Sequence, residues 1–338
     1  MMFRMELSLA MIAEPRKRNG IVEKGVIVAN QCDRLSKIVP HLKDYFYLVE
    51  RRGWLWMNSE KTADVKLVDD LTTLEETKRK FPEAIVLEFS NGDFVDTDLF
   101  HPLNIPKIYT GIQIAAWPAF KRHELFVRAA ALLPQERFIK FGHFWDEPKP
   151  WHWNGELRRK RRIMRLSRKL RANIEFPFAS IKRNADLPSD PEMINRLVNT
   201  AKMGILTSEH EGLSRFKMEC LSADIPVLVP EDAGPATTRH INEKTGMLFK
   251  PTPEDLAEAI RYVEDHLGSF SPRAYVLGHT GVHHALPALK NALRMLAKRD
   301  GFQRDYEEIS WNGRNEGLIW GRGKAIAEVK NAVVRCNP

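Results

Sequence analysis

The chain has few cysteines and no long apolar run. Among its 338 residues, Cys32, Cys220 and Cys336 lie far apart and show no C-x-x-C spacing, which argues against a disulfide framework. No segment approaches the about 18 apolar residues that a membrane-spanning helix needs. The first residues mix charged and apolar side chains and lack the apolar core of a secretory signal. We therefore expect a cytoplasmic protein without a transmembrane segment, and leave open whether it associates with a membrane surface.

The sequence also lacks a pattern that would predict a metal site. His279, His283 and His284 cluster near a helix start, but no acid or cysteine stands at ligand spacing around them. Trp145, Trp151 and Trp153 flank a proline-containing loop. Those rings could stack on a base or a sugar, but a loop packed by its own side chains is the more ordinary interpretation. Neither group predicts a cofactor.

Length and apolar content predict two folded domains. With 43% hydrophobic residues, a chain of this length can form two ordinary cores. Apolar runs and helical spacing alternate along the first part of the chain, which predicts a short α/β domain. The candidate strands are Phe3–Leu9, Gly25–Ala29, Tyr45–Val49, Val65–Val68 and Ala84–Phe89, and the candidate helices are Leu35–Leu42 and Thr73–Phe81.

One stretch carries the clearest functional pattern. It reads Glu211-Gly212-Leu213-Ser214-Arg215-Phe216-Lys217-Met218-Glu219. The apolar run before it predicts a buried strand, and its second half predicts a helix. Gly212 permits a tight turn and Ser214 is a suitable N-cap. Unpaired amides at a helix start favour phosphate, so the two acids would flank an anion and accept hydrogen bonds from sugar hydroxyls.

The spacing of Glu211 and Glu219 resembles the Glu-x7-Glu signature of retaining glycosyltransferases with the GT-B fold, in particular family 4. Other segments resemble the same family in the expected order. They are Asn91–Pro102, similar to the hinge before the nucleotide-sugar domain; Lys121–Leu125, similar to K-R-x-x-L; Ile225–Val229, similar to G-x-P-V-V; Ala233–Pro235, a Gly-containing loop; Thr245–Pro251, similar to T-G-x-L-V-x-P; and Thr252–Ile260, similar to the helix that follows. The resemblance covers roughly residues 91–300.

The resemblance implies a role for each matching residue. Glu211 would contact the donor sugar and Lys121 the diphosphate, which makes both candidate catalytic residues. The candidate donor-binding residues are Glu219, expected at the ribose, together with Gly212, Leu213, Ser214, Arg215, Gly111 and Gln113. The donor substrate would be a nucleotide-diphosphate sugar. No metal or other cofactor is expected, because fixed protein charges would replace Mg²⁺.

Two features depart from the family pattern. The family places a Gly-Arg pair at the end of the first strand of the nucleotide domain, whereas here the expected strand Lys107–Thr110 continues into Gly111-Ile112-Gln113 without an arginine. Arg122 or Arg215 could supply that charge. The N-terminal domain is also short, and its usual Gly-rich loop has no clear counterpart, although Lys17-Arg18-Asn19-Gly20 forms a basic turn.

The resemblance implies two Rossmann-like domains that face a cleft. Residues 1–100 would form a shortened acceptor-side domain, residues 101–300 the nucleotide-sugar domain, and residues 301–338 a helical tail that could cross back to the first domain. The expected reaction is retaining glycosyl transfer to an unidentified acceptor: a glycan, a lipid-linked acceptor or a DNA base of the bacteriophage type. The alternative is a non-catalytic GT-B scaffold that binds a polyanion.

A basic segment motivates that alternative. Residues 156–171 carry a net charge of +8, equal to the formal net charge of the whole chain. Ile163, Leu166 and Leu170 have helical spacing, which predicts a helix with a narrow apolar seam and a basic outer face. Its candidate polyanion-binding residues are Arg158, Arg159, Arg161 and Arg162. The partner would be DNA or an anionic membrane surface, and a merely solvated helix is the simpler interpretation.

Overall fold

The computed structural model describes residues 7–51, 61–144, 155–178, 190–311 and 322–336. The chain divides into two compact α/β units. The first unit combines Met1–Phe94 with Val282–Pro338, and the second comprises Val95–Gly281. None of the helices in the described ranges is long and apolar enough to cross a membrane.

The first unit is built on a five-stranded sheet with two helical layers. Its strands and helices are β1 (Leu9–Ala13), β2 (Arg16–Arg18), β3 (Ile21–Glu23), β4 (Gly25–Ala29), α1 (Cys32–Ile38), α2 (Leu42–Tyr45), β5 (Phe46–Arg51), β6 (Val65–Leu67), α3 (Leu71–Lys80), β7 (Ile85–Leu87), α11 (Val282–Arg299) and α12 (Arg322–Cys336). The sheet order is β1-β4-β5-β6-β7, with β1 antiparallel to β4 and the other pairs parallel.

Side-chain alternation along β4 explains why both faces of this sheet are covered. Successive residues of a strand point to opposite faces. Val26 and Val28 accordingly pack with Leu289 and Leu293 of α11. Ile27, between them, packs on the other face in a cluster that includes α1, α2 and α12. The C-terminal helix α12 therefore covers the first sheet.

The basic turn expected near residue 19 is a β-hairpin. Strands β2 and β3 pair antiparallel, and the two residues between them, Asn19 and Gly20, have φ values of 52° and 78°. A two-residue type I′ hairpin turn requires positive φ at both positions, and the Asn-Gly pair adopts such φ values at little cost.

The second unit is built on a six-stranded parallel sheet. Its strands and helices are β8 (Tyr109–Ile114), α4 (His123–Ala131), β9 (Phe138–Phe141), α5 (Gly155–Leu170), β10 (Ile174–Glu175), α6 (Pro191–Asn199), β11 (Ala201–Ile205), α7 (Arg215–Ser222), β12 (Val227–Pro230), α8 (Pro235–Thr238), β13 (Gly246–Phe249), α9 (Pro253–Asp265) and α10 (Pro272–His279). The sheet order is β10-β9-β8-β11-β12-β13. The chain builds outward from β8 in one direction, then crosses back and continues from β11 in the other. The strand order thus reverses between β8 and β11.

The structure corrects several expected boundaries. β1 begins at Leu9, whereas the sequence predicted a strand over Phe3–Leu9, and residues 3–6 of that prediction lie outside the described residues. The expected helix Leu35–Leu42 is two helices, because Pro40 lacks the N–H that a helix interior needs. The strand expected over Lys107–Thr110 is β8, which continues to Ile114. Trp145, Trp151, Trp153 and Trp320 lie outside the described residues.

The unit boundaries also differ from the expected domains. The first segment of the first unit ends at Phe94, six residues before the expected boundary at 100, and the second unit ends at Gly281. Helix α11, which the sequence placed in the nucleotide-sugar domain, belongs to the first unit. The reason is its apolar face, with Ala285, Leu289 and Leu293 buried against the first sheet.

Candidate functional site

The residues singled out by the sequence meet where the strand order of the second sheet reverses. Ligands of open α/β sheets bind outside the carboxyl ends of the strands at such a point. Thr207, just beyond β11, joins the two adjacent strand ends. Its hydroxyl donates to the backbone oxygen of Lys121 at 2.7 Å and accepts from Gln113 Nε2 at 2.9 Å. The segments that follow β8 and β11 are therefore held side by side.

Lys121 and Glu211 form an ion pair at this point. Lys121 ends a short 3-10 turn, Ala119–Lys121, and its Nζ lies 2.5 Å from Glu211 Oε1. The two side chains are only 9% and 11% exposed, so water screens the pair weakly. The Ser208 hydroxyl donates to the same carboxylate oxygen. The structure thus brings together the two predicted catalytic residues, one from each strand end.

The backbone of Glu211 is fixed by helix α8, which follows β12. The Thr237 hydroxyl accepts from Glu211 N and donates to Glu211 O, both at 2.9 Å. Lys217 is fully buried, and its Nζ donates to the backbone oxygens of Thr237 and Arg239 at 2.6 and 2.5 Å. Sequence reasoning missed both Thr237 and Lys217, because these contacts join residues 20 or more positions apart.

Helix α7 begins directly after the turn at Gly212, as predicted. Ser214 is its N-cap, with φ −62° and ψ 123°, and its side chain accepts a hydrogen bond from the backbone of Lys217. Leu213 is buried and Gly212 partly exposed. Arg215 and Glu219 lie one turn apart on the helix, with Arg215 Nη2 3.7 Å from Glu219 Oε1. The amino end of the helix therefore follows Glu211 within four residues.

Arg122 does not supply the missing diphosphate charge in the way the sequence suggested. Its guanidinium donates to the backbone oxygens of Thr207 and Ser208, and both terminal nitrogens bond the Asp232 carboxylate at 2.7 and 2.8 Å. These hydrogen bonds lower the pKa of Asp232. Arg122 thus ties together the segments after β8, β11 and β12, and its charge is paired with a carboxylate.

The structure places Gly111 and Gln113 beneath the site. Gly111 lies in the middle of β8, where a Cβ would come within 2.6 Å of the Ile205 side chain, so a larger residue there would require Ile205 to shift. Gln113 is buried and bonds Thr207 and Lys140. The expectation that both contact a donor, which rested on ending the strand at Thr110, stays a prediction. The residues that follow β8 are Ala115 and Ala116, which carry no charge.

Buried basic groups surround this point. Lys140 on β9 is fully buried, donates to Gln113 Oε1 at 2.5 Å and lies 4.7 Å from the centre of the Trp117 ring. Burial, and then the charge of Lys121, hold the pKa of Lys140 well below its usual range. Burial also lowers the pKa of His123, with the charges of Lys140 and Lys121 adding to it. Lys140 and His123 thus place two basic side chains beneath Lys121, in surroundings that disfavour the protonated form of each.

The basic segment forms helix α5, with the predicted apolar seam and only part of the predicted outer face. Ile163 is buried, and Leu166 and Leu170 are partly buried against the same cluster. Arg158, Arg161 and Arg162 are exposed. Arg159 is not on the outer face, because its Nη1 donates to the backbone oxygen of Trp117 at 2.5 Å. Lys160 is also buried, and it donates to Phe178 O at 2.9 Å. The inner face of the helix therefore contains a lysine as well as the predicted apolar residues.

Solved structures with the same arrangement of elements are glycosyltransferases. Sucrose-phosphate synthase from Thermosynechococcus elongatus is 18% identical, with a TM-score of 0.59 over 75% of this chain and 69% of that one. HepE from Anabaena, solved in complex with UDP and glucose, is 15% identical, with a TM-score of 0.59 over 82% and 77%. A glycosyltransferase from Rickettsia africae is 16% identical, with a TM-score of 0.56 over 75% and 71%.

The chain has the GT-B fold. This confirms the fold class predicted from the motifs. No protein-family model and no curated protein sequence matches the chain. At these identities the GT-B likeness concerns the fold, and residue roles must be argued from the site itself.

Proposed function

We propose that this GT-B protein is a retaining glycosyltransferase that moves a sugar from a nucleoside-diphosphate donor to an acceptor. The observation that carries the proposal is the Lys121–Glu211 pair, 2.5 Å apart outside the carboxyl ends of β8 and β11, at the point where the strand order reverses. A phosphate-bearing ligand placed there would meet a lysine, the backbone amides at the start of α7, and a carboxylate. The lysine and the amides suit the negative phosphates of a nucleotide sugar, and the carboxylate suits its sugar hydroxyls.

Lys121 and the start of α7 would stabilise the departing diphosphate. When the bond between the anomeric carbon and the phosphate oxygen breaks, negative charge grows on the diphosphate. A buried ammonium and backbone amides at Gly212–Ser214 oppose that charge without reorganising, which is the most effective form of electrostatic catalysis. Binding would exchange the carboxylate of Glu211 for phosphate at Lys121. Glu211 would then be free to accept hydrogen bonds from the sugar.

In the proposed retaining reaction, the acceptor attacks from the side on which these charges hold the diphosphate. The acceptor oxygen would bond to the anomeric carbon on the face that the diphosphate leaves, and the acceptor proton would pass to the departing phosphate oxygen. Charge neutralisation is assigned to Lys121 and the amides rather than to a metal ion. Glu219, in the second turn of α7 beside Arg215, is assigned to the ribose of the donor.

A uridine nucleotide is the first donor to test. HepE, one of the proteins with the same fold, was solved with UDP and glucose and with UDP-glucose. The acceptor remains the unidentified partner, and a cytoplasmic location is part of this proposal. The alternative of a scaffold that has lost catalysis predicts that the Lys121–Glu211 pair binds no nucleotide.

A thermal-shift and calorimetry screen of UDP-, GDP-, ADP- and TDP-sugars tests the proposal. A ligand that binds the folded state raises the melting temperature by mass action, whatever the acceptor is. We expect one nucleotide series to bind, and the matching nucleoside without phosphates to bind at least tenfold more weakly, because the proposed site recognises the diphosphate. If no nucleotide shifts the melting temperature or gives a binding isotherm, the enzyme proposal is rejected.

A further inference from the structure

The outward face of α5 is almost entirely basic. The helix has 16 residues, and the exposed basic side chains on this face, here called the arginine face, are Arg158, Arg161, Arg162, Arg165, Arg168 and Lys169. Their spacings of three and four residues keep them on one side of the helix. From first to last they span about 16 Å along the axis, at 1.5 Å per residue.

Basic residues far outnumber acids on this helix. The one acid of α5 is Glu156, which is buried. Glu124, on α4, pairs with Arg162 at 2.5 Å. Like charges three and four residues apart repel each other and destabilise a helix. A bound polyanion would remove that cost.

The composition of the face indicates which polyanion. Five of its six members are arginines, whose planar guanidinium groups match phosphate oxygens in a two-pronged geometry. The apolar residues of the helix point the other way, with Ile163 buried beside Trp117 and Val127. The face therefore offers no apolar side chain to insert into a lipid surface, which interfacial helices need. We propose that the arginine face binds the phosphate backbone of a nucleic acid.

The face is connected to the segment that carries Lys121. Arg162 pairs with Glu124, which lies three residues after Lys121. Arg159, on the inner side of the same helix turn, donates to the backbone oxygen of Trp117, which lies four residues before Lys121. A strand bound along α5 thus lies beside the Trp117–Glu124 segment. Nucleotide binding is therefore measured alongside nucleic-acid binding in the test.

The test compares two triple variants of the full chain. Arg161→Gln, Arg165→Gln and Arg168→Gln together remove three charges from the arginine face while keeping residues that suit a helix. The matched control, Lys78→Gln, Arg79→Gln and Lys80→Gln, removes three exposed charges from the end of α3. Binding to a fluorescent 20-base-pair duplex DNA is measured by anisotropy at several salt concentrations. Vesicles containing phosphatidylserine serve as the second probe.

We expect wild-type DNA affinity to fall at least tenfold between about 50 and 200 mM salt, because bound arginines release counterions. The arginine-face variant should bind at least tenfold more weakly at low salt and show a flatter salt dependence, while the control changes less than twofold. Unchanged melting temperature and UDP binding show that the variant is folded. The proposal is overturned if both variants weaken DNA binding equally, if neither does, or if the vesicles bind more tightly than DNA and hold at higher salt.

Discussion

The hydroxyl of Thr237 lies 2.9 Å from both the backbone nitrogen and the backbone oxygen of Glu211. One side chain thus accepts and donates across a single residue, and it fixes the peptide units on both sides of the candidate catalytic carboxylate. Lys217 holds Thr237 in turn by donating to its backbone oxygen. Positioning of Glu211 therefore depends on α8, which follows a different strand.

Thr237→Val should reduce turnover more than donor binding. Valine has the shape of threonine but cannot bond Glu211, so a partly buried donor and acceptor lose their partner, at a cost of up to about 1–3 kcal/mol. We expect kcat for nucleotide release from the donor to fall five-fold or more, with a smaller change in KM. Thr237→Ser keeps the hydroxyl and should restore kcat. If serine and valine variants are equally impaired, the packing of Thr237 matters and its hydrogen bonds do not.

Much of this site could be predicted from local sequence, and the rest could not. Ser214 predicts a helix start through backbone chemistry that needs no distant partner, and that prediction is confirmed. Thr237 and Lys217 give no local signal, because a threonine and a lysine become important only when the sheet order brings α8 beside β11. The position of Gly111 beside Ile205 in the middle of β8 could not be predicted for a related reason. It depends on strand pairing across about 90 residues of chain.

The fold follows the same division. A buried strand at β4 was predictable, because residues 26–29 form an unbroken apolar run that follows Gly25. The assignment of α11 to the first unit could not be predicted. Its apolar spacing predicts an amphipathic helix but does not indicate which sheet the helix covers. Sequence identifies buried faces more readily than it identifies their partners.

Lys121→Ala should weaken nucleotide binding by about 1–3 kcal/mol, the cost of losing a charge-assisted hydrogen bond. That is a rise in the Kd of five-fold to over 100-fold, measurable by calorimetry with the best nucleotide of the screen. The matched control is Lys202→Ala, which also breaks an ion pair, with Glu264, but lies near the amino end of β11. Equal effects from the two variants would show that Lys121 acts only through overall charge.

The pKa of the Asp232 carboxyl should lie below its ordinary value of 3.8, because Arg122 hydrogen-bonds and neutralises it. A carboxylate with a depressed folded-state pKa contributes stability above its unfolded pKa, and the contribution is lost as the pH falls through the folded value. The loss is therefore expected below about pH 4 and is modest, since the Asp232 side chain is 43% exposed. Titration followed by carboxyl carbon NMR measures it. In Arg122→Gln the pKa should return toward 3.8, and an unchanged value would contradict the assigned cause.

Donor turnover should be insensitive to chelation. The proposal gives charge neutralisation to Lys121 and the amides at Gly212–Ser214, so removal of divalent ions leaves those groups in place. Activity is measured before and after treatment with excess EDTA followed by gel filtration, with Mg²⁺ added back as the control. A loss that Mg²⁺ restores would assign part of the catalysis to a metal ion.

Glu211→Gln and Glu219→Gln should affect different kinetic constants. Glu211 is assigned to the transferred sugar, so its amide variant should lower kcat while nucleotide binding changes little. It also releases Lys121 from its ion pair, which favours the diphosphate and makes a rise in the nucleotide Kd unexpected. Glu219 is assigned to the ribose, so its variant should raise the donor KM and the nucleotide Kd together. The control is Glu209→Gln, an exposed acid in the same loop, which should change neither constant. If all three variants behave alike, neither Glu211 nor Glu219 contacts the donor as assigned.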